Sequence, residues 1–509
     1  MISAYTGTQI REAEQPFLAK GAGAVLMQRA AYGLANAVVR ELRARGERLY
    51  GASVTVLAGK GNNGGDGLFA AALLAGRGMR TTAVLTAGEA HPAGLEALEK
   101  AGGRVIRLAQ GNVAAAAATA AAATAAASGV VIDAVLGTGA QGGLRGPAAE
   151  LVEALGRSRP GLVVACDIPS GLDADTGESH PPVLRAELTV TFGAAKAGLL
   201  ADPGADFAGR VQVVPIGIEA ALPDPALRRL ESGDLAALLP HPERRSHKYS
   251  RGVLGVVAGS HQYPGAAVIA CRGALAAGVG MVRYLGPPDV ADLVRRSCPE
   301  VVCGSGSAAD AHVQAWLLGP GIDEHAHEQL DRVRDAAATG LPVVADAGAL
   351  PALPRDLAPH FVLTPHAGEL ETLLARYGAG PGRAGVEGAT LAAARRASGL
   401  TGATVLLKGA TTLVAAPSGA VFSQADATPW LATAGSGDVL AGILGALFAQ
   451  LAGSAGAFAS RGISADDRWA GIAALAASVH GRAGTLASDG GPVTASDIAQ
   501  SVRGAMTKL

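Results

Sequence analysis

Short apolar runs alternate with helix-forming stretches twice along this chain, and that alternation constrains the fold more than any single motif. The first series places strand candidates at 53–58, 81–85, 104–108, 130–135, 162–166, 188–192 and 211–214. The second places them at 253–258, 281–285, 315–318, 343–345, 361–363 and 404–407, followed by long helical runs at 436–451 and 469–487. Strands separated by helices pair in parallel, with helices on both faces of the sheet, so the expected class is α/β. A chain of 509 residues outgrows one hydrophobic core. Residues 218–245 hold several prolines and mixed charges. The expected organisation is therefore a domain over 1–222, a linker over 223–234 and a second domain over 235–509. The halves share no residue-level repeat and read as unrelated α/β domains. Residues 8–42 carry helical periodicity and form an N-terminal extension, while the nearly pure alanine stretch 113–127 reads as a surface helix.

The first strand-to-helix junction is Gly59-Lys60-Gly61-Asn62-Asn63-Gly64-Gly65-Asp66-Gly67. Glycine permits positive φ and lets backbone N–H groups approach a phosphate, and the following helix N-terminus adds a favourable dipole. A purely steric turn has no need of Asn62, Asn63 and Asp66 together. Two further apolar runs in this half end in carboxylates. Asp133 follows 129–132 and leads into Gly137-Thr138-Gly139, and Asp167 opens Asp167-Ile168-Pro169-Ser170-Gly171. Open parallel sheets bind ligands at the carboxyl ends of their strands, so these residues are expected to converge. The Asn63 carbonyl, the Asp133 carboxylate and the Ser170 hydroxyl form an oxygen set suited to a monovalent cation. Asp173-Ala174-Asp175-Thr176-Gly177-Glu178 lacks the alternation and terminal Glu of a calcium loop and reads as a turn.

These motifs, together with Thr191-Phe192-Gly193-Ala194-Ala195-Lys196, resemble those of the NAD(P)H-hydrate epimerase domain over nearly all of the first half. The resemblance implies a Rossmann-like fold, a potassium ion and, as substrate, NADH or NADPH hydrated on the nicotinamide ring. It implies substrate contacts from Asn62, Asn63, Gly64, Gly65 and Asp66, from Gly137, Thr138, Gly139, Ala140, Gln141, Gly142 and Gly143, and from Asp167, with Asn63, Asp133 and Ser170 holding potassium. The hydrated carbon beside the ring nitrogen is a hemiaminal centre, so the nitrogen lone pair assists loss of hydroxyl and its return on either face. A positioned acid/base accelerates this exchange. Asp133 is the first candidate, with Asp167 or Lys196 assisting. Lys60 and Ala195 stand where proline is frequent in the family.

In the second half, Thr433-Ala434-Gly435-Ser436-Gly437-Asp438 opens a helix whose amides and dipole can stabilise a transferring phosphoryl group. Asp438 is placed to take a proton from an attacking hydroxyl. Val405-Leu406-Leu407-Lys408-Gly409-Ala410-Thr411-Thr412 is a strand ending in lysine and small polar residues, suited to nucleotide phosphates. With Gly319-Pro320-Gly321, Thr364-Pro365-His366-Ala367-Gly368-Glu369 and Tyr263-Pro264-Gly265-Ala266-Ala267, these motifs resemble the ADP-dependent NAD(P)H-hydrate dehydratase, a ribokinase-like enzyme, from about residue 235 to the end. The resemblance implies that Ala267, Gly321, His366 and Asp438 face the hydrated nucleotide. It assigns the adenosine phosphate to Lys408, Gly409, Ala410, Thr411, Thr412 and Gly437, with magnesium accompanying ADP. Ala434 and Trp430 depart from glycines common in some members.

The implied function is bifunctional: the first domain interconverts the two hydrate epimers and the second dehydrates one of them at the expense of ADP. Competing readings are a ribokinase-like kinase of a small alcohol joined to a nucleotide-sensing domain, and a first domain that serves only as a scaffold. A net charge of -1 with 17% charged residues gives no reason to expect nucleic acid or an anionic membrane as partner. The expected partners are hydrated NADH or NADPH and ADP, in a cytoplasmic homo-oligomer. Cys166, Cys271, Cys298 and Cys303 lack metal-ligand spacing and are expected as free thiols.

Overall fold

The computed structural model describes residues 1–108, 114–140, 142–158 and 160–509. The chain divides into two compact units, one of Ser3–Ala226 and one of Leu227–Leu509 with Met1–Ile2.

The first unit is built on seven parallel strands. Their order is Arg104–Arg107, Arg80–Leu85, Ser53–Ala58, Val130–Ala134, Leu162–Cys166, Leu188–Phe192 and Arg210–Val214. The strand order reverses between Ser53–Ala58 and Val130–Ala134, and a crevice opens outside the carboxyl ends at such a switch point. The glycine run and Asp133 lie at that reversal. Val54, Val56, Val130, Ile132, Leu162 and Val164 are buried on one face against Leu34, Val38 and Leu42 of helix Gly23–Ala44. The other face is covered by helices Ala114–Ala126 and Gly146–Arg157. The expected alanine helix therefore has a packed side, through Ala118, Ala121, Ala122 and Ala125, because alanine's small side chain lets it lie close to the sheet. The N-terminal extension is two helices, Gly7–Leu18 and Gly23–Ala44, separated at Gly21 with φ +76°. Ala4 and Tyr5 pair in parallel with Ala195 and Lys196, a short pairing that fixes the backbone carrying Lys196.

The second unit has a larger mixed sheet. Strands Val302–Gly304, Met281–Leu285, Val253–Val257, Ala315–Leu318, Val343–Ala345, Phe361–Leu363 and Thr404–Leu407 run parallel in that order. Thr412–Ala415 and Val421–Gln424 follow as antiparallel neighbours. Leu227–Arg229 then adds in parallel to Val421–Gln424. This strand and the start of helix Ser232–Leu238 occupy residues assigned above to a linker over 223–234, and the compact units divide at Ala226. Leu227, Leu230, Leu235 and Leu238 are all buried, an apolar spacing that the surrounding charges and prolines obscured. Helices Pro264–Ala276 and Ser436–Leu451 approach so closely that a Cβ on Gly442 would lie 2.2 Å from Ala270 O, and one on Gly273 2.7 Å from Val439 O. Small residues allow this contact, and the second helix is buried along nearly its whole length. No helix among the described residues is long and apolar enough to cross a membrane. The four cysteines are free thiols, three of them buried.

Candidate functional site

The glycine run does a different job from the one expected of it. Helix Asn62–Ala75 begins inside the run, and none of Gly59, Gly61, Gly64, Gly65 and Gly67 adopts positive φ. All but Gly61, where a Cβ would meet nothing within 4 Å, are required by close approach. A Cβ on Gly64 would lie 1.9 Å from Gly59 O, one on Gly59 2.0 Å from Val135 O, and one on Gly67 2.6 Å from Ala134 Cβ. The first turn of the helix is thereby pressed against the end of strand Val130–Ala134, which brings Asn63 and Asp66 to the switch point.

A cleft of about 1530 Å³ opens there. Its walls include Asn62, Asn63, Asp66, Gly137, Thr138, Gly139, Ala140, Gly143, Asp167 and Lys196, with Glu14 contributed by helix Gly7–Leu18. Gly64 and Gly65 are buried beneath the helix turn, Gly142 lies outside the lining, and Gln141 lies outside the described residues.

Asp133 and Ser170 lie behind the cleft wall. Asp133 is 1% exposed; it accepts Ser170 N at 2.8 Å, Ser170 Oγ at 2.6 Å and Val135 N at 3.4 Å. Ser170 Oγ accepts Leu136 N at 2.9 Å, while Asn63 Nδ2 donates to Leu136 O at 2.9 Å. Asn63 Oδ1 is buried with no hydrogen-bond partner. Asn63, Asp133 and Ser170 are thus linked through Leu136, with one orphaned oxygen and a single carboxylate, a donor set that fits a monovalent hard cation. Burial raises the Asp133 pKa, opposed by the Ser170 hydrogen bonds. As the first candidate for acid/base work Asp133 has a physical obstacle, because its oxygens are engaged and do not reach the cleft.

Asp167 does face the cleft, held in the left-handed region at φ +69°. Such a conformation in a non-glycine residue persists only where its surroundings enforce it. Lys196, 1% exposed, donates to Asp167 Oδ1 at 2.5 Å, to Thr191 Oγ1 at 2.9 Å and to Phe192 O at 2.9 Å, so its three protons are committed. Thr138 Oγ1, Thr191 Oγ1 and Phe192 N also donate to Asp167. Burial opposes ionisation of Asp167, but the Lys196 charge and these hydrogen bonds hold its pKa below the ordinary value. Asp66 is the opposite case. Its Oδ1 is buried without a partner, and burial followed by the charges of Asp167 and Glu14 raises its pKa well above the ordinary carboxylate value, with Lys196 opposing.

The second site is assembled at the carboxyl ends of Val343–Ala345, Phe361–Leu363 and Thr404–Leu407 and at the N-terminus of Ser436–Leu451. Gly435 takes φ +85° and turns the chain into the helix. Lys408 Nζ donates to Asp346 Oδ1 at 2.8 Å and lies 3.6 Å from Glu369 Oε2. Asp346 is 2% exposed and also accepts Thr364 Oγ1 at 2.8 Å. Burial works against the Lys408 charge, but Asp346 and Glu369 raise its pKa overall. A Cβ on Gly437 would lie 3.6 Å from Lys408 Nζ, which places the helix opening beside the lysine. Burial, and then the Asp346 charge, push the Asp438 pKa up to about 7 against the pull of Lys408. Beneath the opening, Ser436 Oγ lies 3.2 Å from Nε2 of buried His480. Burial lowers that imidazole to about 4, so it is neutral at physiological pH.

His366 caps its own helix, its Nδ1 accepting Gly368 N at 3.0 Å and Glu369 N at 3.2 Å. Its ring is 57% exposed, and its backbone bridges to Lys408, so it remains at the site. Gly409 and Ala410 are exposed, Thr411 is buried, and Thr412 starts the next strand. Ala267 is buried on helix Pro264–Ala276, and a Cβ on Gly321 would lie 2.4 Å from Ala266 Cβ, so both belong to the neighbouring strand ends. Asp346 escaped the sequence reading, although it follows an apolar run as Asp133 and Asp167 do.

Residues 23–198 match the family model described as YjeF-related protein N-terminus, and residues 254–502 match that described as NAD(P)H-hydrate dehydratase. The bifunctional NAD(P)H-hydrate repair enzyme Nnr of Mycobacterium tuberculosis is 42% identical over 456 residues, covering 88% of this chain and 89% of that one. The enzyme of the same name from Moorella thermoacetica is 33% identical over 501 residues, covering 91% and 88%. Among solved structures, an ADP/ATP-dependent NAD(P)H-hydrate dehydratase from Bacillus subtilis, co-crystallised with ATP/Mg2+, is 26% identical, with a TM-score of 0.44 over 54% of this chain and 95% of that one. With both family models matched in order and relatives similar over nearly its whole length, the chain belongs to the family of bifunctional NAD(P)H-hydrate repair enzymes.

Proposed function

We propose that the first unit interconverts the S and R hydrates of NADH and NADPH, and that the second dehydrates the S form at the expense of ADP, giving NAD(P)H, AMP and phosphate. The observation that carries the second activity is Asp438: a carboxyl with a pKa of about 7 at a glycine-rich helix opening beside the Lys408–Asp346 pair. Hydroxide is a poor leaving group. Asp438 takes the proton of the ring hydroxyl as its oxygen attacks the terminal phosphorus of ADP and AMP departs. The ring nitrogen lone pair then expels phosphate, and loss of a proton from the adjacent ring carbon restores the dihydropyridine. The helix N-terminus and Lys408 bind phosphate oxygens. Magnesium would arrive with ADP as part of the substrate and offset the charge of the donor phosphates.

At the first site the orphaned Asn63 Oδ1, with Asp133 and Ser170 Oγ, supports a potassium ion behind the wall. There it would hold the 135–137 segment against the helix opening and offset the charge of Asp133. Asp133 is then a cation ligand, and Lys196 holds Asp167 ionised. The test is incubation of the full chain with each pure epimer. The S hydrate plus ADP should recover the dihydronicotinamide absorbance, and the R hydrate should be consumed through the first unit. A product that retains the transferred phosphate would instead identify a small-alcohol kinase.

A further inference from the structure

Each crevice holds a buried Asp–Lys pair next to a second carboxyl. Asp346 and Lys408 lie beside Asp438, and Asp167 and Lys196 lie beside Asp66. In both cases the charge of the paired aspartate bears on the neighbouring carboxyl and the lysine opposes it. Asp438 has a role in the reaction above, whereas Asp66 has none beyond contact.

We propose that Asp66 is the proton carrier of the first site, its carboxyl protonating the ring hydroxyl and its carboxylate recovering a proton when water returns. This rests on the epimerase reading of that site. In the forward step the Asp66 O–H proton passes to the hydroxyl oxygen. The C–O bond breaks with its electrons on that oxygen, water leaves, and the ring nitrogen lone pair forms the C=N bond of an iminium ion. Water then adds to the opposite face, the C=N π electrons return to nitrogen, and the surplus proton goes to Asp66. Nothing is oxidised or reduced.

The geometry singles out this residue. Asp66 lines the cleft, and its Oδ1 is buried with no hydrogen-bond partner, whereas Asp133 lies behind the wall with its oxygens engaged and the protons of Lys196 are committed. Asp167 is held as an anion and suits stabilising the cationic iminium. The backbone leading to Asp66 is closely packed, Gly64 on Gly59 and Gly65 on His91. Asp167, Lys196, Glu14, Arg11, Cys166 and His91 surround the cleft at this point. Burial and the neighbouring acids favour the protonated form of this carboxyl, which suits it to give a proton to the leaving hydroxyl.

The experiment uses the full chain and the R hydrate of NADH, with epimer exchange followed by proton NMR and hydrate affinity by calorimetry. Asp66→Asn should lower kcat by at least about 100-fold while the dissociation constant stays within about threefold. The wild-type rate should fall as pH rises through the Asp66 pKa, and that alkaline limb should vanish in the variant. Retention of kcat within threefold, loss of binding with kcat intact, or transfer of the effect to Glu14→Gln overturns the assignment. If Asp66→Asn does not fold, Asp66→Glu decides, since a carboxyl must restore an alkaline limb and its absence overturns the assignment too. A wild-type chain that exchanges no epimer refutes the epimerase reading itself, a distinct result from exchange that persists in Asp66→Asn.

Discussion

Asp438→Asn should make the second unit more stable while abolishing its activity, and the gain should grow with pH. The ordinary value for this carboxyl is 3.8, and the folded protein raises it to about 7. Below 3.8 both folded and unfolded chains carry the proton, so no difference arises. Between the two values the unfolded chain ionises first, and wild type loses stability by about 1.4 kcal/mol per pH unit relative to a group that cannot ionise. Above about 7 both states are ionised and the full difference of roughly 4 kcal/mol has accumulated. This is a ceiling, because Asp438 is only partly enclosed and Lys408 loses a neighbouring negative charge in the variant. All three tryptophans, Trp316, Trp430 and Trp469, lie in the second unit, so their fluorescence during denaturant unfolding follows that unit alone. The stability difference between variant and wild type should be small at pH 4, rise through pH 5 and 6, and level off near pH 8. A difference that is flat with pH, or that favours wild type at pH 8, would refute the claim that Asp438 is held at raised pKa by burial and Asp346.

The same ionisation should govern catalysis: dehydratase kcat/KM should fall tenfold per pH unit below about 7, and Asp346→Asn, by removing the charge that helps raise Asp438, should move that limb to lower pH in a pH–rate profile. Lys408→Met leaves Asp346 buried without its ion partner and should destabilise the unit by ~3 kcal/mol, measured by the same fluorescence transition. Asn63→Ala should weaken activation of epimer exchange by potassium at least about tenfold, read from rates in potassium chloride against choline chloride. Gly64→Ala puts a methyl 1.9 Å from Gly59 O, a backbone atom with no room to yield, and should lower thermal stability by at least ~2 kcal/mol.

The sheets were legible in the sequence because buried parallel strands are largely apolar. The runs 162–166, 188–192, 281–285, 315–318, 343–345, 361–363 and 404–407 coincide with the strands found. Several short strands of the second unit were not. Leu227–Arg229, Val302–Gly304 and Val421–Gln424 carry arginine, glycine, serine or glutamine on backbone whose pairing is set by tertiary contacts rather than local pattern. At the first site the motifs located the crevice, but the reason for the glycines was misread. A sequence does not distinguish a glycine needed for positive φ from one needed for close approach. Which carboxylates reach the cleft was equally hidden, because Asp133 and Asp167 both follow apolar runs, yet one is turned into the loop behind the wall and the other is drawn out by Lys196. The missed Asp346 obeyed the same strand-end rule and was passed over only because no glycine motif surrounded it.

The two crevices reach a shared electrostatic arrangement on different sheets. A lone buried aspartate beside another carboxyl would itself be driven neutral, and the pair would share one proton unpredictably. The lysine breaks that symmetry by fixing which of the two is the anion. Lys196 holds Asp167 below the ordinary value, and Asp346 accepts hydrogen bonds from Lys408 Nζ and Thr364 Oγ1. The remaining carboxyl, Asp66 or Asp438, then feels a neighbouring negative charge in addition to its own burial, and its affinity for a proton rises, to about 7 at Asp438. The ion pairs therefore contribute by directing proton affinity, which a net-neutral pair can do without large net stabilisation of its own. Exchange of a hydroxyl at a hemiaminal carbon needs a group that gives a proton first, whereas phosphorylation of that hydroxyl needs one that takes a proton first. Asp66, enclosed with an unpartnered oxygen and a raised proton affinity, suits the first need, and Asp438, raised to about 7, suits the second.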